Sequence, residues 1–184
     1  VAVSLALAAP AHAAPPSHPD GRVQILPLVG YVHFDRGIAL EGAFLYGLEF
    51  HHHFRFDNPW IALGLYAEVS GAQTRFVDND VPGADVILAN AGMTVGVRAH
   101  PMVIPTIRAG SGFALFDATK SDLEVRGRIQ YHLGAGVHVF PLPWLAVRAE
   151  SRLMTHDNLS LGAGSGIRRN VNHALVQVGV GVAL

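Results

Sequence analysis

The chain of 184 residues contains no cysteine. Disulfides and thiolate metal sites are therefore excluded, although that absence alone names no compartment. Charge is also scarce: Asp, Glu, Lys and Arg make up 15% of the residues, where a soluble domain carries roughly a quarter. The formal net charge of −1 leaves no basic footprint for nucleic acid. No stretch approaches the roughly 18 consecutive apolar residues of a membrane helix, and apolar spacing of helical period is missing throughout. Yet half the residues are hydrophobic, in a length that suits one domain with a real core.

The N-terminus reads as an export signal. "VAVSLALAAPAHAAPPSHPD" has an apolar run from Val1 to Ala9, then Pro10 and Ala11-His12-Ala13, a small-x-small cleavage pattern. The basic n-region and an initial Met are missing, the pattern of a signal peptide (1–13) truncated at its start. Nine apolar residues before a proline fall short of the roughly 20 that a spanning helix needs. Residues 14–21 read as an unstructured lead-in, and 22–184 as the folded unit.

What fills that unit is alternation. In "FLYGLEFHHHFRF" (44–56), Phe44, Tyr46, Leu48, Phe50, Phe54 and Phe56 share one parity; Leu45, Gly47, Glu49, His51, His53 and Arg55 share the other. The same two-residue period recurs over 22–34, 60–76, 85–100, 106–116, 128–140, 145–155 and 171–184, with the first segment interrupted by Pro27. Each segment meets or passes the roughly 9–11 residues with which a tilted strand crosses a bilayer. The connections sort by parity. "DNP" (57–59), "PMVIP" (101–105) and "PLP" (141–143) are short and carry proline; 35–42, 77–84, 117–127 and 156–170 are longer and polar. Short turns at one end and longer loops at the other are the pattern of outer-membrane barrels.

The faces point the same way. The polar parity holds Gly92, Gly96, Gly110, Gly112, Gly134, Gly136, Gly179 and Gly181, small residues suited to the crowded interior of a narrow barrel. The apolar parity is nearly free of charge, as lipid contact requires. The expected fold class is all-β: an eight-stranded antiparallel up-and-down transmembrane β-barrel, polar inside and apolar outside. Phe54, Phe56, Trp60, Phe140 and Trp144 beside the short turns, and Phe34, Phe44, Phe76 and Phe116 toward the longer loops, fit two interfacial girdles, although strict parity turns several of them inward.

With "YGLEFHHHF", "NAGMTVGVRAHP", "IRAGSGFALF", "YHLGAGVHVFPLPWLAVRAE" and "VQVGVGVAL" in these strands, the chain resembles the OmpA-like transmembrane domain family of small eight-stranded outer-membrane barrels over 22–184. The resemblance implies location in the bacterial outer membrane; an even strand count with loops sorted by parity leads to the expectation that both termini are periplasmic. The resemblance also implies contact with outer-membrane lipid and lipopolysaccharide, insertion by the barrel-assembly machinery, a monomer, and no cofactor. Such barrels usually end on an aromatic residue; here Leu184 stands at that place.

Three constellations carry candidate chemistry. Counting along the strands puts Glu49, Glu68, Arg148, Glu150 and Arg152 on the inward face near mid-height, an expected ion-pair network. Buried charges must pair because an unpartnered one costs several kcal/mol. Arg55, Arg98 and Arg108 are expected nearer the periplasmic mouth. His51, His52 and His53 raise a metal site. Only His51 and His53 share a face, about 7 Å apart along the strand, and no third ligand is evident, so the expected metal set is none. Finally, an outer-membrane barrel of this size can be a lipid A deacylase with a His-x-Ser-Asn signature. Here "MTHDNLSLGAGSGIRRN" offers His156 at the outer rim, but Asp157-Asn158 follow it and Ser160 is displaced beyond reach of its base. The leading expectation is a structural or surface-presenting barrel without catalytic residues. A lipid A hydrolase using His156, or a small channel, are the alternatives.

Overall fold

The structure, a computed structural model, describes residues 22–34, 40–54, 58–75, 84–98, 100, 102–117, 126–156 and 171–184. The expected export segment 1–13, the expected lead-in 14–21 and most of the longer connections lie outside them. Eight strands follow in order: β1 (Val23–His33), β2 (Ala43–His53), β3 (Ile61–Thr74), β4 (Ala84–Val97), β5 (Val103–Asp117), β6 (Arg126–Leu142), β7 (Leu145–His156) and β8 (Val171–Ala183). Each pairs antiparallel with its neighbour in sequence, and β1 pairs with β8 to close the barrel. Closure removes every free edge, so all strands find partners on both sides. No helix among the described residues is long and apolar enough to cross a membrane.

The prolines sit where a ladder can spare a donor. Pro27 interrupts the first alternating segment yet stays within β1, opposite Leu48 of β2. On the other side of β1, the register with β8 runs from Ile25–Val182 to Leu28–Gly179 and skips Leu26 and Pro27. The missing N–H is thus accommodated at the closing seam. Pro105 behaves alike. The expectation of a turn over 101–105 is corrected, since β5 begins at Val103 and Pro105 pairs with Val137 of β6. The register of β5 with β4 ends one residue later, at Thr106–Gly96, so no β4 partner is deprived of a donor.

The short connections are locally made. Asn58 Oδ1 accepts from the Trp60 backbone N–H at 2.8 Å, an Asx-type closure of the β2–β3 turn. His100 accepts the Val103 N–H through its carbonyl and the Met102 N–H through Nδ1, each at 3.2 Å. Pro143 and Trp144 form the β6–β7 turn, after a register irregularity between Val139 and Leu142.

Parity decides what faces out. Phe44, Leu65, Val95, Ile107, Leu133, Leu153 and Val178 are all exposed, Phe44 at 65%. Their sequence neighbours Leu45, Thr94, Arg108, Arg152 and Gln177 are buried. The inward face is layered rather than uniformly polar, which differs from the expectation. Leu26, Leu28, Ala62, Ile104, Phe140 and Ala146 form one apolar cluster toward the short-turn end. A larger one, including Val32, Phe34, Leu45, Leu88, Phe116 and Met154, lies toward the long-connection end. Glu49, Glu68, Arg108, Arg148, Glu150 and Arg152 occupy the stretch between. Layering also corrects the girdles. Trp60, Trp144 and Phe44 do face outward, but Phe34, Phe116 and Phe140 are buried inside these clusters. Phe56 and Phe76 lie outside the described residues.

Candidate functional site

At mid-lumen the structure brings Glu49 (β2), Glu68 (β3), Arg148, Glu150 and Arg152 (all β7) into one network. Arg148, Glu150 and Arg152 alternate on a single strand, so all three project inward. Arg148 donates through Nη1 to Glu49 Oε1, and its Nε lies 3.5 Å from Glu150 Oε2. Arg152 donates through Nη2 to Glu68 Oε2 at 2.7 Å, and through Nε to Glu150 Oε1 at 3.1 Å. Glu150 cannot serve both arginines alone, and the acids of β2 and β3 supply the remainder from across the lumen. Gln177 of β8 ties the two carboxylates together, donating to Glu150 Oε1 at 2.8 Å and Glu68 Oε2 at 3.1 Å.

Arg108 departs from its expected place near the mouth. Its guanidinium reaches the centre, donating to Glu49 Oε2 at 2.9 Å and to Glu150 Oε2 at 2.5 Å. Side-chain length explains the difference. An arginine on β5 can extend several ångströms along the lumen, and strand position alone locates only its Cα. Arg108 also lies with Cζ 3.4 Å from the Tyr66 ring centroid, a cation–π contact in a desolvated setting. The Tyr66 hydroxyl shares a hydrogen bond with His132 Nε2. Glycine makes room for that ring: a Cβ on Gly92 or Gly110 would meet the Tyr66 hydroxyl at 2.7 or 2.8 Å. With Arg108 included, three arginines face three carboxylates, so the centre is charge-balanced as well as buried.

The other candidates lie apart from this network or at its edge. Arg98 remains by the β2–β3 turn, donating to the Asn58 carbonyl at 3.3 Å. Arg55 lies outside the described residues. His51 and His53 do share the inward face, stacked with ring centroids 4.3 Å apart, while His52 contacts Phe54. The expectation that no third ligand is present is corrected: His138 of β6 stands edge-on to both rings, at 4.9 and 5.5 Å between centroids. At the far end, His156 is fully buried, its ring 4.7 Å from His173 and 5.9 Å from Phe116. Neither of its ring nitrogens has a hydrogen-bond partner among the described residues. Ser160 lies outside those residues.

Tyr66, His132, His138 and Gln177 complete the interior without having been singled out as site residues. Each shares the inward parity of its strand, and that was the available signal. Which inward residues meet across the lumen depends on strand stagger, which parity does not encode.

No family model matches the chain, and neither does any curated protein. Solved structures do. Ail, the attachment invasion locus protein of Yersinia pestis, is 17% identical with a TM-score of 0.52, covering 90% of this chain and 99% of its own. The outer membrane protein OprG from Pseudomonas aeruginosa is 12% identical with a TM-score of 0.56, covering 91% and 97%. The outer membrane enzyme PagL is 13% identical with a TM-score of 0.52, covering 85% and 97%. One of these is an enzyme, and at such identities the likeness concerns the fold. The chain has the fold of the small eight-stranded outer-membrane barrels.

Proposed function

We propose that the protein is an integral barrel of the bacterial outer membrane, with both termini periplasmic, a lumen filled by side chains, and a structural or surface-presenting role. One observation carries the reading: the faces are inverted relative to a soluble protein. The exposed face is an apolar belt that includes Leu65, Val95, Ile107, Leu133 and Val178, while Glu49, Glu68, Arg108, Arg148, Glu150 and Arg152 lie buried within. An exposed apolar surface encircling a monomer calls for a nonpolar solvent, and lipid supplies it. Outer-membrane lipid and lipopolysaccharide would contact this belt, and the barrel-assembly machinery would insert it. A closed barrel has no free edge to offer a partner strand, which supports a monomer.

Presentation is favoured over catalysis because, among the described residues, His156 packs against the rings of Phe116 and His173 and no hydroxyl is hydrogen-bonded to it, as one would be to an activating base. The cross-lumen network argues similarly against an open channel. Mass analysis of lipid A from cells with and without the protein tests the role. An unchanged acyl pattern is expected, and loss of an acyl chain would establish the hydrolase instead. Labelling of intact cells tests the orientation. Positions in 77–83 and 118–125 should react and Met102, in the β4–β5 turn, should not; the reverse pattern would invert the barrel.

A further inference from the structure

Beneath the charged centre, toward the short-turn end, three imidazoles converge from two strands on opposite sides of the lumen. His51 and His53 come from β2 and His138 from β6, and all three are buried. One ligand-capable atom from each lies within 4.8 Å of the others. We propose that this cluster is a binding site for a zinc-class divalent cation, which would clasp β2 to β6 across the barrel.

The donor set fits that class. Three neutral imidazoles with a fourth position left open form a known zinc ligand set, and imidazole also suits Cu, Ni and Co. The two β2 rings lie nearly parallel, at 20°, and His138 stands at 85–86° to them. With metal–nitrogen bonds of about 2.0–2.1 Å, tetrahedral ligand atoms lie about 3.3 Å apart. Ring rotations must therefore draw the three nitrogens together by up to about 1.5 Å, within reach of χ adjustments that leave the strands in place. The surroundings are arranged around His51. Its Nδ1 faces Glu49 Oε1 at 3.5 Å, the carboxylate partner that commonly orients a ligating histidine. Its Nε2 shares a hydrogen bond of 3.0 Å with Thr94 Oγ1.

Space beside that nitrogen is kept by glycine. A Cβ on Gly64 would stand 2.5 Å from His51 Nε2 and 2.8 Å from Thr94 Oγ1. His138 Nδ1 has no hydrogen-bond partner among the described residues, and a cation would give such a nitrogen one. The neighbouring charges do not oppose an ion, because the arginines above are matched by carboxylates. Phe140, 6.3 Å from His53 and 6.4 Å from His138 between ring centroids, shields the cluster from the turn side.

The test uses the full chain refolded in detergent with zinc chloride, or cobalt chloride, present from the start because the rings are buried. After desalting, elemental analysis should find a single zinc per chain, and the cobalt form should show intense visible bands of a tetrahedral nitrogen site. His138→Asn and His51→Asn should bring bound zinc to background, while His52→Asn, altering the ring that shares neither face nor cluster, should leave it unchanged. Gly64→Ala serves if the histidine variants fail to fold, and it should weaken binding at least 10-fold by filling the space beside His51 Nε2. Background zinc in the wild type would overturn the proposal. So would weak octahedral cobalt bands, or equal loss of zinc in His52→Asn.

Discussion

Replacing Glu150 with alanine removes the acid that touches most of the buried centre. Its two oxygens accept four hydrogen bonds, from Arg108, twice from Arg152, and from Gln177. Charge-assisted bonds contribute about 1.5–3 kcal/mol each, so four lost independently would cost about 6–12 kcal/mol. That sum is an upper bound, because Arg108 keeps Glu49 and Arg152 keeps Glu68. What cannot be recovered is balance, since three buried arginines would face two carboxylates. Breaking a buried pair by removing one partner costs about 3–5 kcal/mol, and this is the expected loss for Glu150→Ala. Equilibrium unfolding in urea from lipid vesicles, followed by tryptophan fluorescence and by heat-modified gel mobility, measures it. Adding Arg108→Met restores balance, two arginines against two acids. The double variant should therefore cost less than the sum of the singles, by about 1–3 kcal/mol of coupling. A Glu150→Ala loss below about 1 kcal/mol, the worth of a solvent-exposed pair, would show that water solvates each charge separately and would refute the dry network.

Further outcomes follow from the same geometry. Leu65→Arg, Val95→Arg and Val178→Arg, all on the exposed belt, should each destabilise the inserted barrel by about 2–4 kcal/mol near the bilayer midplane and less toward its edges. Wild-type insertion yields for these variants would overturn the face assignment. Gly110→Val should cost about 1–3 kcal/mol by overpacking, because even a Cβ there would meet Gly92 Cα and the Tyr66 hydroxyl at 2.8 Å; urea unfolding checks it. Planar-bilayer recordings of the purified monomer should show no steady, large conductance, since the network spans the lumen.

The fold was legible because a barrel writes its two faces into every strand with a period of two. Leu65 and Glu68 differ in parity, and parity alone sorted one outward and the other inward. The charged centre was partly legible for the same reason: Glu49, Glu68, Arg148, Glu150 and Arg152 all carry the inward parity. Arg108 carries it as well, but its reach along the lumen comes from a flexible side chain that no count of Cα positions locates. His138 escaped notice as a ligand because its neighbours in space, His51 and His53, lie on a strand opposite it in the closed barrel. Only closure and stagger bring them together. The inward Phe34, Phe116 and Phe140 illustrate the reverse case, where an attractive association of aromatics with interfaces competed with parity and parity won.

The central claim is that lipid contacts the apolar face and the polar face is enclosed. Because the chain lacks cysteine, single substitutions can carry one spin label each without background. Along β4, Met93→Cys, Thr94→Cys, Val95→Cys and Gly96→Cys would be labelled in turn, and collision with dissolved oxygen measured in reconstituted bilayers. Oxygen partitions into lipid, so Met93 and Val95 should report high accessibility, with Thr94 and Gly96 low to both oxygen and a water-soluble nickel chelate. Flat accessibility along β4, or high chelate contact at Met93 and Val95, would contradict a membrane-embedded barrel with this inside and this outside.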